Sequence, residues 1–178
     1  MMATDTTPQI RLRPTTLADL DFVIAAERHP DNEPYIGQWP KVRHEAAITC
    51  DNEAHFIVEQ ALSPQASAPK SIGYVICRGV HNEHSALLLQ RIVITQKGQG
   101  YGRKTLEQLK EFAFNTLGFH RLWFDVIASN QRARALYKRA GFVEEGILRD
   151  SWKSKTGYAS MVIMSMLASE YPTNEQHR

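Results

Sequence analysis

The chain has 178 residues, enough for one domain with a sizeable core, and its 43% apolar and 22% charged residues exclude a disordered or fibrous chain. A net charge of +2 is too small to argue for a nucleic-acid partner. Cys50 and Cys77 have neither metal-site spacing nor disulfide density, and the opening "MMATDTTPQIRLRP" lacks a hydrophobic signal core, so the expectation is a cytoplasmic protein with no membrane association.

In chain order, the alternation in "QIRLRP" predicts an opening strand. "TTLADLDFVIAAERH" then reads as an amphipathic helix on Leu17, Leu20 and Ile24, opened by a Thr-x-x-Asp cap at Thr16. "PKVRHEAAITCDN" predicts a second helix with proline at its first turn. Three strand-like runs follow, "HFIVEQ", "IGYVICRGV" and "SALLLQRIVIT". A Ser/Pro loop separates the first two and "HNEH" the last two, which predicts an antiparallel meander. His81 and His84 within "GVHNEHSA" read as a solvated turn rather than a metal site, and no metal is expected. Leu106, Leu109, Ala113 and Leu117 predict a helix ending at Gly118. "RLWFDVI" is a buried strand, "NQRARALYKRA" a helix closed by Gly141, and "GFVEEGIL" and "YASMVIMSML" two closing strands. The order β-α-α-β-β-β-α-β-α-β-β predicts the α/β class, with a mixed, largely antiparallel central sheet and helices on both faces. The boundaries expected are a single domain over residues 9–168, with flexible termini at 1–8 and 169–178.

The junction "RIVITQKGQGYGRKTLEQLK" carries the chemistry. Gly98, Gly100 and Gly102 permit positive φ and turn backbone N–H groups inward ahead of a helix N-terminus, the makings of an anion cradle flanked by Arg103 and Lys104. Read from Gly98 it nearly spells the nucleoside-triphosphate loop G-x-x-x-x-G-K-S/T, but Arg103 occupies the required second glycine. The dinucleotide pattern G-x-G-x-x-G fails as well, at Arg103 or at Thr105. Downstream lies "NQRARALYKRAGF", in which Ala133, Leu136 and Ala140 are the expected core face and Arg132, Arg134, Lys138 and Arg139 suit exposed phosphates.

Together the two segments resemble the GCN5-related N-acetyltransferase (GNAT) family. The family loop, Arg/Gln-x-x-Gly-x-Gly/Ala, is similar to "KGQGYG", with Lys97 at the Arg/Gln position. The second signature, N-x-x-A-x-x-L-Y-x-x-x-G-F, matches at Asn130, Ala133, Leu136, Tyr137, Gly141 and Phe142. "HRLWFDV", "EEGILRD" and "GYASMVIMSML" are most similar to the branch that holds ribosomal-protein alanine and spermidine acetyltransferases. The chain departs from the pattern at Lys97 and in a shorter segment between "IVIT" and the first glycine.

This resemblance implies an acetyl-CoA-dependent N-acetyltransferase acting on a primary amine, such as a protein N-terminus or a polyamine, with a homodimer as a further implication. A CoA-binding sensor without turnover is the rival reading. Carried over from the family, Ile92, Val93 and Ile94 lie on a bulged strand whose free amides hold the pantetheine arm and the thioester carbonyl. Lys97, Gly98, Gln99, Gly100, Tyr101, Gly102 and Arg103 form the pyrophosphate loop, Asn130 touches the cofactor arm, and Tyr137 is the general acid. For the base, Glu59 and Gln90 through water, then Asp125 and His120, are candidates. The acceptor-lining segments are "HPDNEPYIGQWPK", acidic and aromatic, and "RDSWKSKTGY", basic, so they point to opposite acceptor charges.

Overall fold

The structure, a computed structural model, describes residues 9–60 and 68–172, so segments 1–8 and 173–178 and most of the Ser/Pro loop lie outside the described residues. The strands are β1 (Ile10–Pro14), β2 (Glu53–Gln60), β3 (Lys70–Arg78), β4 (Ala86–Ile94), β5 (Arg121–Ile127), β6 (Val143–Ser154) and β7 (Gly157–Leu167). They form one sheet in the order β1-β2-β3-β4-β5-β7-β6. Every neighbouring pair is antiparallel except β4 and β5, which run parallel because the glycine-loop helix crosses between them. The helices are α1 (Leu20–Arg28), α2 (Lys41–Thr49), α3 (Tyr101–Glu111) and α4 (Gln131–Arg139), in the order the sequence predicts.

Both faces of the sheet are covered. On one, Val23 and Ala26 of α1 pack on Ile57, Tyr74, Ile76 and Val93. On the other, Leu106 and Leu109 of α3 and Tyr137 of α4 join Val58, Val75, Leu87, Leu122 and Val126. The face of α1 differs from the expected one: Leu17 sits exposed in a short 3-10 turn, and Val23 rather than Ile24 is fully buried. Asp19 accepts hydrogen bonds from Thr16 N–H (2.8 Å) and Oγ1 (2.9 Å), and this cap starts that turn before the helix proper begins. Past Glu111, α3 widens into a π turn over Phe112–Thr116, closed by Gly118 at φ 65°. The folded chain also runs past the expected boundary at 168. Ala168–Glu170 form a 3-10 turn, and Tyr171 packs on Phe114 and donates to Glu111 at 3.0 Å.

The fold positions the site through one irregularity. Along the β3–β4 pair, Ile76 faces Arg91 but Cys77 faces Leu89, so Gln90 is an extra residue on β4. Such a bulge bends the strand and reverses which side chains point to which face. Leu87 and Leu89 face α3 before it, whereas Arg91 faces α1 with Val93 after it. β4 and β5 are paired only from Ala86 to Leu88, opposite Arg121 to Trp123, and then part. The gap between them opens a cleft at the centre of the sheet.

Candidate active site

The cleft encloses about 1050 Å³, at the top of the range for small-molecule sites. Its floor is the unpaired edge of β4. Thr95 N–H donates to Ile72 O at 2.8 Å, on the β3 side. Because successive amides of a strand point to opposite edges, the N–H groups of Ile92 and Ile94 turn to the open edge and that of Val93 turns to β3. Of the three positions expected to offer amides, two therefore face the cleft. The extra residue sits at Gln90 and sets their phase.

The glycine loop closes one end. Gly98 and Gly100 have φ near +80°, and nothing approaches within 4 Å of where a Cβ would stand, so glycine is there for its backbone and not for lack of room. Lys104 N–H is the first to reach a helical acceptor, Gly100 O at 3.2 Å. The amides of residues 101–103 precede it and lack intrahelical partners, which leaves the N-terminus of α3 as an anion cradle at the cleft. Tyr101 is buried and packs in the core, so it serves the loop through its backbone. Gln99 sits exposed at the tip of the loop and does not line the cleft, unlike Lys97, Gly98, Gly100, Gly102 and Arg103.

α4 forms the opposite wall. Asn130 Oδ1 accepts from Ala133 N–H at 3.1 Å and caps the helix while lining the cleft. The most buried residue of α4 is Tyr137, not the Ala133, Leu136 and Ala140 stripe that sequence spacing favours. Its ring packs on Phe124 (4.4 Å between centroids) and Phe142 (6.4 Å). Its hydroxyl hydrogen-bonds to no described residue, and burial pushes its pKa up to about 12. Two of the four basic residues are committed elsewhere: Arg134 and Lys138 hold Glu144 at 2.8 and 3.1 Å. Arg132 and Arg139 remain to line the cleft.

The remaining wall is the loop between α1 and α2, held at three points. Lys97 Nζ donates to Asp31 O at 3.1 Å, Glu33 pairs with Lys155 of the β6–β7 turn, and Trp39 N–H donates to Glu27 Oε2 at 3.0 Å. The acidic and basic acceptor segments thus neutralise one another through Glu33 and Lys155. Arg43 and Arg91 stack on the Trp39 ring, 4.1 and 4.3 Å from its centroid. Beneath Trp39 lies a buried polar cluster. Glu27 accepts from Arg91 Nη1 and from Tyr74 Oη (2.9 Å), and His44 Nε2 lies 3.2 Å away. His44 Nδ1 reaches His55 Nε2 at 3.2 Å, and His55 Nδ1 reaches Thr15 Oγ1 at 2.9 Å. Burial works to raise the Glu27 carboxyl, but His44, Arg91, Trp39 and Tyr74 outweigh it and hold it below its ordinary value. Burial, reinforced by His44, pushes His55 down to about 4, so it is neutral at pH 7.

Of the four candidate bases, two are misplaced. Glu59 is held by Arg11 and Arg13 of β1 at 2.7 and 2.8 Å, and neither Glu59 nor His120 lines the cleft. Gln90 and Asp125 do line it. Asp125 has no ion-pair partner among the described residues, and the surrounding protein pushes its carboxyl above the usual range. Its neighbours Phe124 and Val126 belong to the α3–α4 core, so alternation along β5 places Asp125 on the α1–α2 side of the sheet. His81 and His84 sit on an exposed turn. Among the described residues no helix is long and apolar enough to cross a membrane.

The sequence model of the acetyltransferase (GNAT) domain matches residues 9–143, well over half of the chain. The chain belongs to the GNAT acetyltransferase family. Within that family it is 28% identical over 120 residues to a spermidine N(1)-acetyltransferase of Vibrio cholerae serotype O1, a match spanning 67% of this chain and 66% of that protein. It is 38% identical over 68 residues to the ribosomal protein bS18-alanine N-acetyltransferase of Salmonella typhimurium, spanning 38% of this chain and 45% of that one. In fold, it superposes on the crystal structure of spermidine N-acetyltransferase from Vibrio cholerae in complex with CoA and spermine with a TM-score of 0.80. That likeness, at 24% identity, covers 92% of this GNAT chain and 98% of the other.

Sequence reasoning missed Arg91 and Glu27. Both left a signal: an arginine inside the apolar run "LLLQRIVIT", and a glutamate seven residues after Leu20, on the buried face of α1.

Proposed function

We propose that this GNAT protein transfers the acetyl group of acetyl-CoA to a primary amine by direct attack on the thioester. One observation carries the reading. The parted strands leave the Ile92 and Ile94 amides facing a cleft that ends in the α3 cradle and is walled by Tyr137. The cradle amides with Lys97, Gly98, Gly100, Gly102 and Arg103 suit the pyrophosphate. Arg132 and Arg139 add positive charge, and Asn130 flanks the arm. A thioester supplies an activated carbonyl carbon and a leaving thiolate.

The residues divide the work as follows. An Ile92 or Ile94 N–H donates to the carbonyl oxygen as negative charge gathers there. Asp125 takes the proton the amine loses as its nitrogen bonds to the carbonyl carbon. Tyr137, kept protonated by burial, gives its hydroxyl hydrogen to the sulfur as the C–S bond breaks. The products are an N-acetyl amide and a free thiol. Thiol release that requires both acetyl-CoA and an amine is the experiment that tests this reading.

The base assignment makes a pH prediction. A base works ionised, so the rate per unprotonated amine should climb as pH rises through the Asp125 pKa and fall below it. Because that pKa is raised, the acid limb should lie above the ordinary aspartate value of about 3.9. Asp125→Asn should abolish this limb and lower kcat/KM roughly 100-fold. An unaltered pH–rate profile in the variant would remove Asp125 from the mechanism.

A further inference from the structure

β4 changes phase at the Gln90 bulge. Leu87 and Leu89 before it pack on the α3–α4 side of the sheet, and after it the same side takes Ile92 and Ile94. Arg91 and Val93 turn to the α1 side. Ile92, Val93 and Ile94 are all apolar and β-branched, so none of them chooses between the two faces. Arg91 does choose. Had β4 kept its phase, Arg91 would follow Leu89 into the apolar cluster of Leu106, Leu109 and Phe124. The buried carboxylates among the described residues lie elsewhere: Glu59 is held by Arg11 and Arg13, and Glu27 is on α1. A guanidinium without an acid is costly to bury, so the bulged phase is the one that gives this charge a partner.

Glu27 is a fixed anchor for that charge. Tyr74 Oη (2.9 Å) and the Trp39 N–H (3.0 Å) donate to its carboxylate independently of Arg91. The Trp39 ring covers the guanidinium, 4.3 Å from its centroid. A buried pair of this kind is better attested as a device for fixing register than as a source of stability. A one-residue change of phase would swap the amides along with the side chains. The Val93 N–H would then turn to the cleft, and those of Ile92 and Ile94 to β3.

We propose that the Arg91–Glu27 pair positions the cleft amides. It sets the phase of β4 past the bulge, and so aims the Ile92 and Ile94 N–H groups, rather than that of Val93, into the cleft. Both residues act through the backbone of β4, not on the reacting atoms. This inference deepens the transferase reading, in which those amides receive the thioester, but its test does not depend on turnover.

The test compares the full chain with its double variant Glu27→Leu/Arg91→Met, which removes the pair without stranding a charge. Amide hydrogen exchange of the ligand-free proteins, followed by NMR, reads the phase directly. In the wild type the Val93 amide should exchange slowly, and those of Ile92 and Ile94 fast. Ile57 serves as the reference, because its strand β2 lies paired between β1 and β3. In the double variant the protection of Val93 divided by that of Ile57 should fall roughly 10-fold or more. A general loss of stability lowers both amides and leaves this ratio unmoved. Titration with acetyl-CoA and with ADP gives the second readout. ADP carries a pyrophosphate for the α3 cradle but no arm for β4, so the ratio of its Kd to that of acetyl-CoA should also fall roughly 10-fold. Arg91→Lys keeps a charge for Glu27 and should hold both ratios near their wild-type values. If the double variant does not unfold cooperatively, Glu27→Gln/Arg91→Met, whose amide still accepts from Tyr74 and Trp39, takes its place. Either ratio unchanged in the double variant, or an equal fall in Arg91→Lys, overturns the proposal. If both ratios fall as expected and no amine releases thiol from acetyl-CoA, the transferase reading fails while the positioning role stands.

Discussion

Replacing Tyr137 by phenylalanine should lower kcat roughly 100-fold or more while acetyl-CoA still binds. The substitution is a clean one. The ring packs on Phe124 and Phe142, and phenylalanine preserves both contacts. The hydroxyl bonds to no described residue, so deleting it leaves no orphaned partner in the fold. With its pKa pushed up to about 12 by burial, the hydroxyl is protonated at rest across the whole neutral range, and it becomes a phenolate only on giving its proton to the sulfur. Steady-state kinetics together with a direct binding titration separate the outcomes. A fall in kcat at constant affinity is the loss of an interaction made as the thiolate departs. An unchanged kcat would reduce Tyr137 to a packing residue at the seam of α4 and the sheet.

Glu27→Ala should destabilise the protein by about 3–5 kcal/mol, the cost of breaking a buried pair from one side. In a chain of this length that corresponds to a fall in melting temperature on the order of 10 °C. Glu27 is 1% exposed, and its carboxylate serves four groups at once: Arg91, Tyr74, His44 and the Trp39 amide. Removing it strands the Arg91 charge and frees the loop between α1 and α2 that walls the cleft. The double variant Glu27→Leu/Arg91→Met removes both charges and should recover most of the lost stability. Thermal or denaturant unfolding of the two variants decides the matter. A single-variant loss below about 1 kcal/mol, the range of exposed ion pairs, would mean that this cluster is solvated and not structural. The contribution also has a pH sign. The folded pKa of Glu27 lies below its unfolded value, so its stabilisation is full above about 4.3 and is lost as pH falls through the folded pKa.

Local signals carried most of the architecture. The order of elements, the cap at Thr16, the turn at "HNEH" and the end of the third helix at Gly118 depend on neighbours within a few residues, and all are readable from the chain. What escaped depends on distant partners. Arg91 and Glu27 are 64 positions apart, and only the folded sheet reveals that each explains the other. The bulge at Gln90 is a property of the β3–β4 register, so carrying the three amide positions over by motif could not tell that Val93 turns away. The two acceptor segments read as contradictory in sequence because their opposite charges meet in space, at Glu33 and Lys155. In sequence Asp125 stands behind Glu59 and Gln90 as a base because a charged residue on a strand reads as a solvated position. It opens to the cleft because β4 leaves β5 after Leu88, a tertiary event with no local mark.

The reaction proposed for this cleft moves an acetyl group from sulfur to nitrogen. The most direct measurement follows free thiol over time with acetyl-CoA and a panel of primary amines, and checks by mass spectrometry that the amine has gained an acetyl group in equal amount. Thiol release should rise with amine concentration, saturate, and match acetylated amine one for one. Acetyl-CoA that binds tightly in the cleft yet yields no amine-dependent thiol across the panel would contradict it, and would make the protein a CoA-binding sensor built on an acetyltransferase fold.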